Sequence, residues 1–136
     1  MSPMSKKILL IDDEQETVEL VKARLERENY KIFTANDGQE GLKKARDVRP
    51  DLILLDILMP NLGGYGFVQQ LRADHQLKNI PVIVLSGRAA MYEAFQKEGV
   101  ADYLLKPFLP GQLSEKITEF FKKQEQSQDN PPSPES

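Results

Sequence analysis

Residues 7–14 read Lys-Ile-Leu-Leu-Ile-Asp-Asp-Glu, so four consecutive apolar residues run directly into three acids. An apolar run of this length, bounded by charged residues, predicts a buried β-strand. The residues that follow carry an apolar stripe at Val18, Val21 and Leu25, which is the spacing of one face of an α-helix. The segment therefore predicts a strand followed by a helix that packs against a sheet.

The same pattern returns four more times along the chain. Apolar segments lie at residues 32–33, 52–55, 82–85 and 103–105, and each precedes apolar residues at helical spacing. Strands that are apolar on both faces belong to parallel sheets covered by helices on each side, and the intervening segments are long enough for right-handed crossovers. We therefore predict an α/β fold with a doubly wound five-stranded parallel sheet, in the common strand order 2-1-3-4-5.

The composition limits the chemistry available to the chain. Its 136 residues include one His and no Cys, which excludes disulfides, thiolate metal sites, cysteine nucleophiles and imidazole clusters. Any metal must therefore be bound through oxygen. No apolar run approaches the roughly 18–20 residues that span a bilayer, and the apolar run at residues 8–11 is too short for a signal peptide. We expect a cytoplasmic protein with no membrane segment.

The net charge of the chain comes from its C-terminal end. Residues 124–136 contain three acids, no base and no apolar residue, and they are rich in Pro, Ser and Gln. This composition predicts disorder, so we divide the chain into one folded domain over residues 1–123 and a disordered acidic tail over residues 124–136. The folded domain then carries 18 acids and 18 bases. Because its basic residues occur in isolated pairs, we expect no direct binding of nucleic acid.

Charged or hydroxyl-bearing residues stand where four of the predicted strands end: Asp12 and Asp13, Asp56, Ser86, and Lys106. In the order 2-1-3-4-5 the first and third strands are neighbours about 5 Å apart, so their terminal carboxylates converge. Clustered carboxylates repel one another, and Mg²⁺ neutralises such a cluster through oxygen ligands. Lys106 and Ser86 add an ammonium and a hydroxyl suited to a phosphoryl group. The sheet edge therefore predicts a carboxylate that accepts a phosphoryl group beside Mg²⁺.

These residues resemble the receiver domain of response regulators in two-component signalling. The resemblance rests on five segments that occur in the right order on the strand ends: Lys7-Ile-Leu-Leu-Ile-Asp-Asp-Glu14, Asp56-Ile-Leu-Met-Pro60, Gly63-Gly64, Leu85-Ser-Gly87 and Asp102-Tyr-Leu-Leu-Lys-Pro-Phe108. It covers about residues 5–123 and implies a flavodoxin-like (βα)5 fold.

The resemblance implies a role for each acid at the sheet edge. Asp56 would be the phosphate acceptor, Asp13 would bind Mg²⁺ directly, and Asp12 would help to organise the metal, partly through water. The backbone carbonyl of Leu58 would complete the ligands that the protein supplies.

It also implies a set of residues that respond to phosphorylation. Ser86 would bond a phosphoryl oxygen and move towards it, and Lys106 would pair with the phosphate. Tyr103 matches the aromatic residue whose rotamer follows that movement. Pro107 matches a position with a cis peptide bond, which only X-Pro bonds adopt at low cost. Gly87 matches a small residue that leaves access to the acceptor open.

The function implied by the resemblance is a signalling switch that catalyses only its own phosphorylation and dephosphorylation. The donor would be a phosphohistidine of a sensor histidine kinase or a histidine phosphotransfer protein, and the output a downstream protein target or a phosphorelay. We expect a monomer or a weak phosphorylation-dependent dimer. Ser86 and Lys106 lie 20 positions apart, which is shorter than is usual in receivers, so the fourth helix or the loop before it should be shortened.

Two other functions use a similar sheet. An aspartyl-nucleophile phosphatase or phosphotransferase would place its nucleophile after the first strand, with a second acid two residues later and a cap domain. Here Asp13 and Glu14 directly follow Asp12, and we expect 136 residues to leave no room for a cap. A flavin-binding domain would need a hydroxyl- or Gly-rich loop after the first strand, where three acids would repel the flavin phosphate.

Overall fold

Strands and helices alternate along the whole folded part of the chain in a computed structural model that describes residues 5–56, 63–87 and 92–129. The strands are β1 (Lys7–Ile11), β2 (Lys31–Ala35), β3 (Leu52–Asp56), β4 (Val82–Ser86) and β5 (Asp102–Leu105). The helices are α1 (Gln15–Arg27), α2 (Gly38–Val48), α3 (Gly64–Ala73), α4 (Tyr92–Lys97) and α5 (Pro110–Asp129).

The five strands form one parallel sheet in the order β2-β1-β3-β4-β5. Every residue of β3 and β4 is buried, as expected for strands covered on both faces. Successive side chains of a strand point to opposite faces, and the core accordingly divides in two. Leu9 belongs to the cluster packed beneath α2, α3 and α4, whereas Ile8 belongs to the cluster beneath α1 and α5. The predicted doubly wound fold and its strand order are confirmed.

Helix α2 carries a glycine on its inner face, where it packs against the sheet and α3. A Cβ atom added to Gly41 would stand 2.5 Å from the side chain of Ile11 and 3.2 Å from that of Phe67. Real Cβ atoms do not approach other heavy atoms so closely, so any larger residue at this position forces the helix or the core to shift.

Helix α4 spans Tyr92–Lys97, and residues 88–91 before it lie outside the described residues, so the shortened helix or loop expected from the spacing between Ser86 and Lys106 stays a prediction. Its end is marked by Gly99, which has a φ of 76° and follows a final helical turn closed by backbone hydrogen bonds to Phe95 and Gln96. A left-handed residue is the common way to end a helix, and glycine adopts it without strain.

The tail expected to be disordered is in part helical. Helix α5 continues to Asp129, so residues 124–129 are described as helical, while residues 130–136 lie outside the described residues; the division into a folded domain and a disordered tail stays a prediction. The helix is held to the body as far as Phe121, whose ring packs against Tyr30. Extending an existing helix is far easier than starting one, and Lys, Gln and Glu are good helix formers. Composition alone therefore does not indicate that a helix can continue into this segment.

Among the helices of the described ranges, not one combines the length and the apolar character needed to cross a lipid bilayer.

Candidate functional site

Three carboxylates meet at the carboxyl edge of the sheet. Residues Ile11 and Leu55 are paired across β1 and β3, so the acids that follow them, Asp12 and Asp56, leave neighbouring strands at the same level. Each of Asp12, Asp13 and Asp56 offers one carboxylate oxygen, and these oxygens lie within 4.8 Å of one another. Asp12 and Asp56 are buried, whereas Asp13 is exposed. The convergence predicted from the sequence is present in the structure.

The Asp12 carboxylate is held in a position that disfavours its charge. Its Oδ1 accepts a hydrogen bond of 2.9 Å from the backbone N–H of Glu14. Its Oδ2 is buried and has no hydrogen-bond partner among the residues described by the structure. Burial, together with the nearby charge of Asp56, raises the pKa of Asp12 to about 6, although the bond from Glu14 acts in the opposite direction.

This arrangement fits a hard divalent cation. A buried carboxylate oxygen without a donor is an unsatisfied acceptor, and two further carboxylate oxygens lie within reach of it. Mg²⁺ binds through one or two carboxylates while keeping several waters, and exposed Asp13 leaves room for those waters. The residues present therefore match the chemistry of a magnesium site. Leu58, whose carbonyl was expected to add a ligand, lies outside the described residues.

Lys106 is the counter-ion of the acidic cluster. Its Nζ donates a hydrogen bond of 3.1 Å to Oδ2 of Asp56 and lies 3.7 Å from Oδ2 of Asp12. Burial lowers the pKa of Lys106, but the bond to Asp56 and the charges of the surrounding acids outweigh this and raise the pKa above its ordinary value of 10.5. Lys106 is therefore charged at neutral pH and offsets part of the carboxylate repulsion.

The remaining residues of the expected set stand on β4 and β5. Ser86 is fully buried at the end of β4, and its carbonyl accepts a 2.7 Å hydrogen bond from the backbone N–H of Lys106. The bond between Lys106 and Pro107 is cis, as the resemblance implied. Tyr103 is buried in β5 beneath α4, and a Cβ atom added to Gly87 would meet nothing within 4 Å. The structure thus brings Lys106 to the acids and places Ser86 beside it in the sheet.

Sequence reasoning missed one partner of Lys106. Glu14 Oε1 lies 3.7 Å from Nζ of Lys106, so a third carboxylate shares this ammonium. The sequence placed Glu14 beside the site as an acid but gave no indication of this pairing, because Glu14 follows β1 and Lys106 follows β5, and two strands separate β1 from β5 in the sheet.

The sequence also gave no indication of a groove that opens beside the acids. A cavity of about 470 Å³ lies between α1 and the segment that links β5 to α5, with Glu14 and Lys106 at its edge. Its apolar lining includes Leu20, which is 63% exposed, together with Pro107 and Phe108. The only signal available was that Leu20 lies outside the buried stripe of α1.

Comparison with known proteins places this geometry in context. Residues 8–118 match the family described as the response regulator receiver domain. The alkaline phosphatase synthesis transcriptional regulatory protein PhoP of Bacillus subtilis is 39% identical over 127 residues, which is 90% of this chain and 51% of that protein. The chain spans about half the length of several such curated relatives.

Solved structures show the same similarity. A CheY-like receiver domain protein from Methanospirillum hungatei is 29% identical with a TM-score of 0.82, over 90% of this chain and 98% of that one. The receiver domain of a sensor histidine kinase from Pseudomonas aeruginosa is 28% identical with a TM-score of 0.77, over 85% and 96% of the two chains. That structure is described as having a magnesium ion coordinated in its active site cleft. The comparisons give no support to the phosphatase or flavin-binding alternatives.

Proposed function

The chain belongs to the family of response regulator receiver domains, and we propose that Asp56 is the side chain that becomes phosphorylated when this signalling switch changes state. One observation carries the assignment. Asp56 is the buried acid that both joins the carboxylate cluster and accepts a 3.1 Å hydrogen bond from Lys106. A carboxylate with a cation on each side is placed to react with an anionic phosphoryl donor.

The reaction transfers a phosphoryl group between two side chains. An oxygen of the Asp56 carboxylate attacks the phosphorus of a phosphohistidine, the N–P bond of the donor breaks, and its electron pair remains on the imidazole. The product is an acyl phosphate on Asp56. The ammonium of Lys106 and the hydroxyl of Ser86 bind oxygens of the transferred group, and Tyr103 follows the resulting movement of Ser86.

Magnesium would be held by the three carboxylates, with the carbonyl of Leu58 as a further ligand. The bound ion supplies positive charge that offsets the charge building up on the phosphoryl oxygens. Support comes from the unsatisfied buried Oδ2 of Asp12 and from the oxygen-only set of ligands. Exposed Asp13 and buried Asp12 would both contribute carboxylate oxygens to hold the ion.

The donor is proposed to be a sensor histidine kinase or a histidine phosphotransfer protein in the cytoplasm. The groove beside Lys106 supports this, because it is apolar, open and adjacent to the acceptor. Exposed Leu20 and the rim around Phe108 suit the apolar face of a partner helix, which would bring its phosphohistidine over Asp56. The output is passed to a downstream protein target or along a phosphorelay.

The acceptor is tested by incubation with acetyl phosphate and Mg²⁺, followed by intact mass and peptide mapping. We expect one alkali-labile phosphoryl group on the wild-type chain, none on Asp56→Asn, and wild-type labelling on the exposed control Asp47→Asn. Labelling that persists in Asp56→Asn refutes the assignment. The docking surface is tested by Leu20→Arg, which should keep labelling by acetyl phosphate and lower transfer from a phosphorylated histidine phosphotransfer protein.

A further inference from the structure

The two ends of α4 are attached to different parts of the molecule. The first described residue of the helix, Tyr92, lies against Tyr103 of β5, with ring centroids 5.5 Å apart and planes at 86°. The residues just beyond its last turn, Glu98 and Gly99, are bonded to side chains of α3. One end of this short helix therefore touches the switch residue, and the other end touches an element that carries no residue of the phosphorylation site.

Arg72 of α3 makes the larger part of the attachment at the C-terminal end. Its guanidinium donates to the carbonyls of Glu98 at 3.1 Å and Gly99 at 3.2 Å. It also donates to the carbonyls of Lys78 at 3.0 Å and Ile80 at 2.8 Å, in the segment that leads into β4. Carbonyls at the end of a helix lack partners within the helix and carry its negative dipole, so a cationic donor stabilises them. The planar fork of arginine holds both segments in one geometry.

Tyr65 of α3 adds a second attachment at the same place. Its hydroxyl donates a 2.8 Å hydrogen bond to Oε2 of Glu98. Its ring packs edge-on against Phe95, with centroids 5.4 Å apart at 76°. The C-terminal end of α4 is thus joined to α3 by hydrogen bonds from Arg72 and Tyr65 and by the ring contact between Tyr65 and Phe95.

The N-terminal end is held differently. Tyr92 is 44% exposed, and its hydroxyl accepts a hydrogen bond from Gln96 within the same helix. Among the described residues its ring contacts the ring of Tyr103 in the sheet, which also lies 6.1 Å from Phe95 in the middle of the helix. A rearrangement of Tyr103 therefore acts directly on the first turn of α4.

We propose that Arg72 and Tyr65 are positioning residues of the switch, which fasten the C-terminal end of α4 to α3 so that phosphorylation moves the end at Tyr92. The helix pivots about Glu98 instead of shifting as a unit. This inference rests on the proposed function, because it needs Tyr103 to respond to a phosphoryl group on Asp56. It adds which end of the helix moves and which residues hold the other end.

The four tyrosines of the chain provide the measurement. We suggest replacing all of them with fluorotyrosine and recording fluorine NMR spectra before and after adding Mg²⁺ and beryllofluoride, a mimic of the acyl phosphate. Each signal is assigned with a single Tyr→Phe variant. We expect the signals of Tyr92 and Tyr103 to shift, and those of Tyr65 and Tyr30 to remain within their linewidths. Tyr30 packs beneath α5 on the opposite face of the sheet and is the internal control.

Two variants test the attachment itself. Arg72→Ala should let α4 move as a whole, so that beryllofluoride now shifts the Tyr65 signal as well. Glu98→Ala removes the bond from Tyr65 but keeps the backbone carbonyls that Arg72 binds, so the same change should appear there to a smaller extent. Glu98 is only partly buried, so its variant keeps the proposal testable if Arg72→Ala does not fold. Arg46→Ala, which removes a surface ion pair with Asp74, is the matched control and should give the wild-type pattern.

The outcomes separate the inference from the function on which it rests. If Tyr65 shifts as much as Tyr92 in the wild-type chain, or stays fixed in both attachment variants, the pivot is wrong while the phosphorylation switch stands. If beryllofluoride binds and neither Tyr92 nor Tyr103 shifts, the pivot is likewise wrong. If the wild-type chain does not bind beryllofluoride in the presence of Mg²⁺, the proposed function and the pivot fall together.

Discussion

Replacing Asp12 with Asn should stabilise the fold in metal-free buffer near neutral pH, although it removes a proposed ligand of Mg²⁺. The Asp12 carboxylate is fully buried, its Oδ2 has no hydrogen-bond partner among the described residues, and Asp56 lies beside it. An Asn side chain keeps the acceptor for the N–H of Glu14 and brings an uncharged amide that can donate to Asp56. The substitution therefore removes a buried charge without leaving a cavity.

The size of the effect follows from the pKa of Asp12. Burial, together with the charge of Asp56, raises this pKa from its ordinary value of 3.8 to about 6. Each unit corresponds to about 1.4 kcal/mol, so the charged form costs the fold up to about 3 kcal/mol above pH 6. Between these two pH values the folded state binds more protons than the unfolded state, so wild-type stability rises as the pH falls from 6 towards 3.8. We expect Asp12→Asn to gain about 1–3 kcal/mol at pH 7.5 and less at pH 5.

The assay is urea unfolding in EDTA at both pH values, with Asp13→Asn as the matched control. Asp13 belongs to the same cluster but is exposed, so its variant should gain much less stability. Added Mg²⁺ should stabilise the wild-type chain by about 1.4 kcal/mol at ten times its dissociation constant, and neither variant to the same extent. The reasoning is refuted if Asp12→Asn is less stable than wild type in EDTA, or if both variants gain equally.

Three further changes test other parts of the structure. Gly41→Ala should lower the free energy of unfolding by about 1–3 kcal/mol, because the added Cβ would lie 2.5 Å from the side chain of Ile11. Gly111→Ala is the control and should cause no such loss, because its added Cβ has its first contact at 3.6 Å. Equal effects of the two substitutions in denaturant unfolding would contradict the close packing of α2. The pKa of Glu28 lies below its ordinary value of 4.5, chiefly because the hydroxyl of Ser114 donates to its carboxylate. The charged form of Glu28 therefore stabilises the fold above pH 4.5, and this contribution is lost as the pH falls below that value. Glu28→Gln should be about 1 kcal/mol less stable than wild type at pH 7 and should approach wild-type stability in acid. A stability difference that stays constant across this pH range would contradict the prediction. Lys106→Ala should keep its Mg²⁺ titration but give a weaker response to beryllofluoride, and an unchanged response would remove its role as a clamp.

The sheet and the acidic cluster could be predicted because each depends on local pattern and on strand geometry. Apolar runs such as residues 52–55 identify buried strands, and parallel strands end at one edge, so Asp12 and Asp56 had to meet once the strand order was assumed. Contacts between side chains far apart in the sequence do not follow from such patterns. The bonds from Arg72 to Glu98 and Gly99, 26 and 27 positions away, depend on where α4 ends, and no periodicity contains that information.

Helix α5 shows why local composition has to be weighed together with its structural context. Residues 124–129 are polar and would not order alone, but they continue a helix that Ile117 and Phe121 fix against the sheet. Whether these residues are helical therefore depends on the free energy of extending an existing helix and not on the free energy of starting a new one. The cost of extension is small for Gln and Glu.

Repulsion among the carboxylates at the sheet edge lowers the stability of the fold. The same repulsion allows the edge to respond to a bound metal or to a phosphoryl group. With Asp12, Asp56 and Glu14 all within 3.7 Å of its Nζ, Lys106 is shared among acids whose balance changes when a metal binds or a phosphoryl group arrives. A movement of Lys106 is transmitted to the backbone of β4, because the backbone N–H of Lys106 is bonded to the carbonyl of Ser86. It also acts on β5, whose Tyr103 lies three positions earlier and packs beneath α4. A site whose charges were fully paired would be more stable, but its contacts with Lys106 would not change when a metal or a phosphoryl group arrived. We therefore expect a stabilising substitution such as Asp12→Asn to abolish the structural response to phosphorylation.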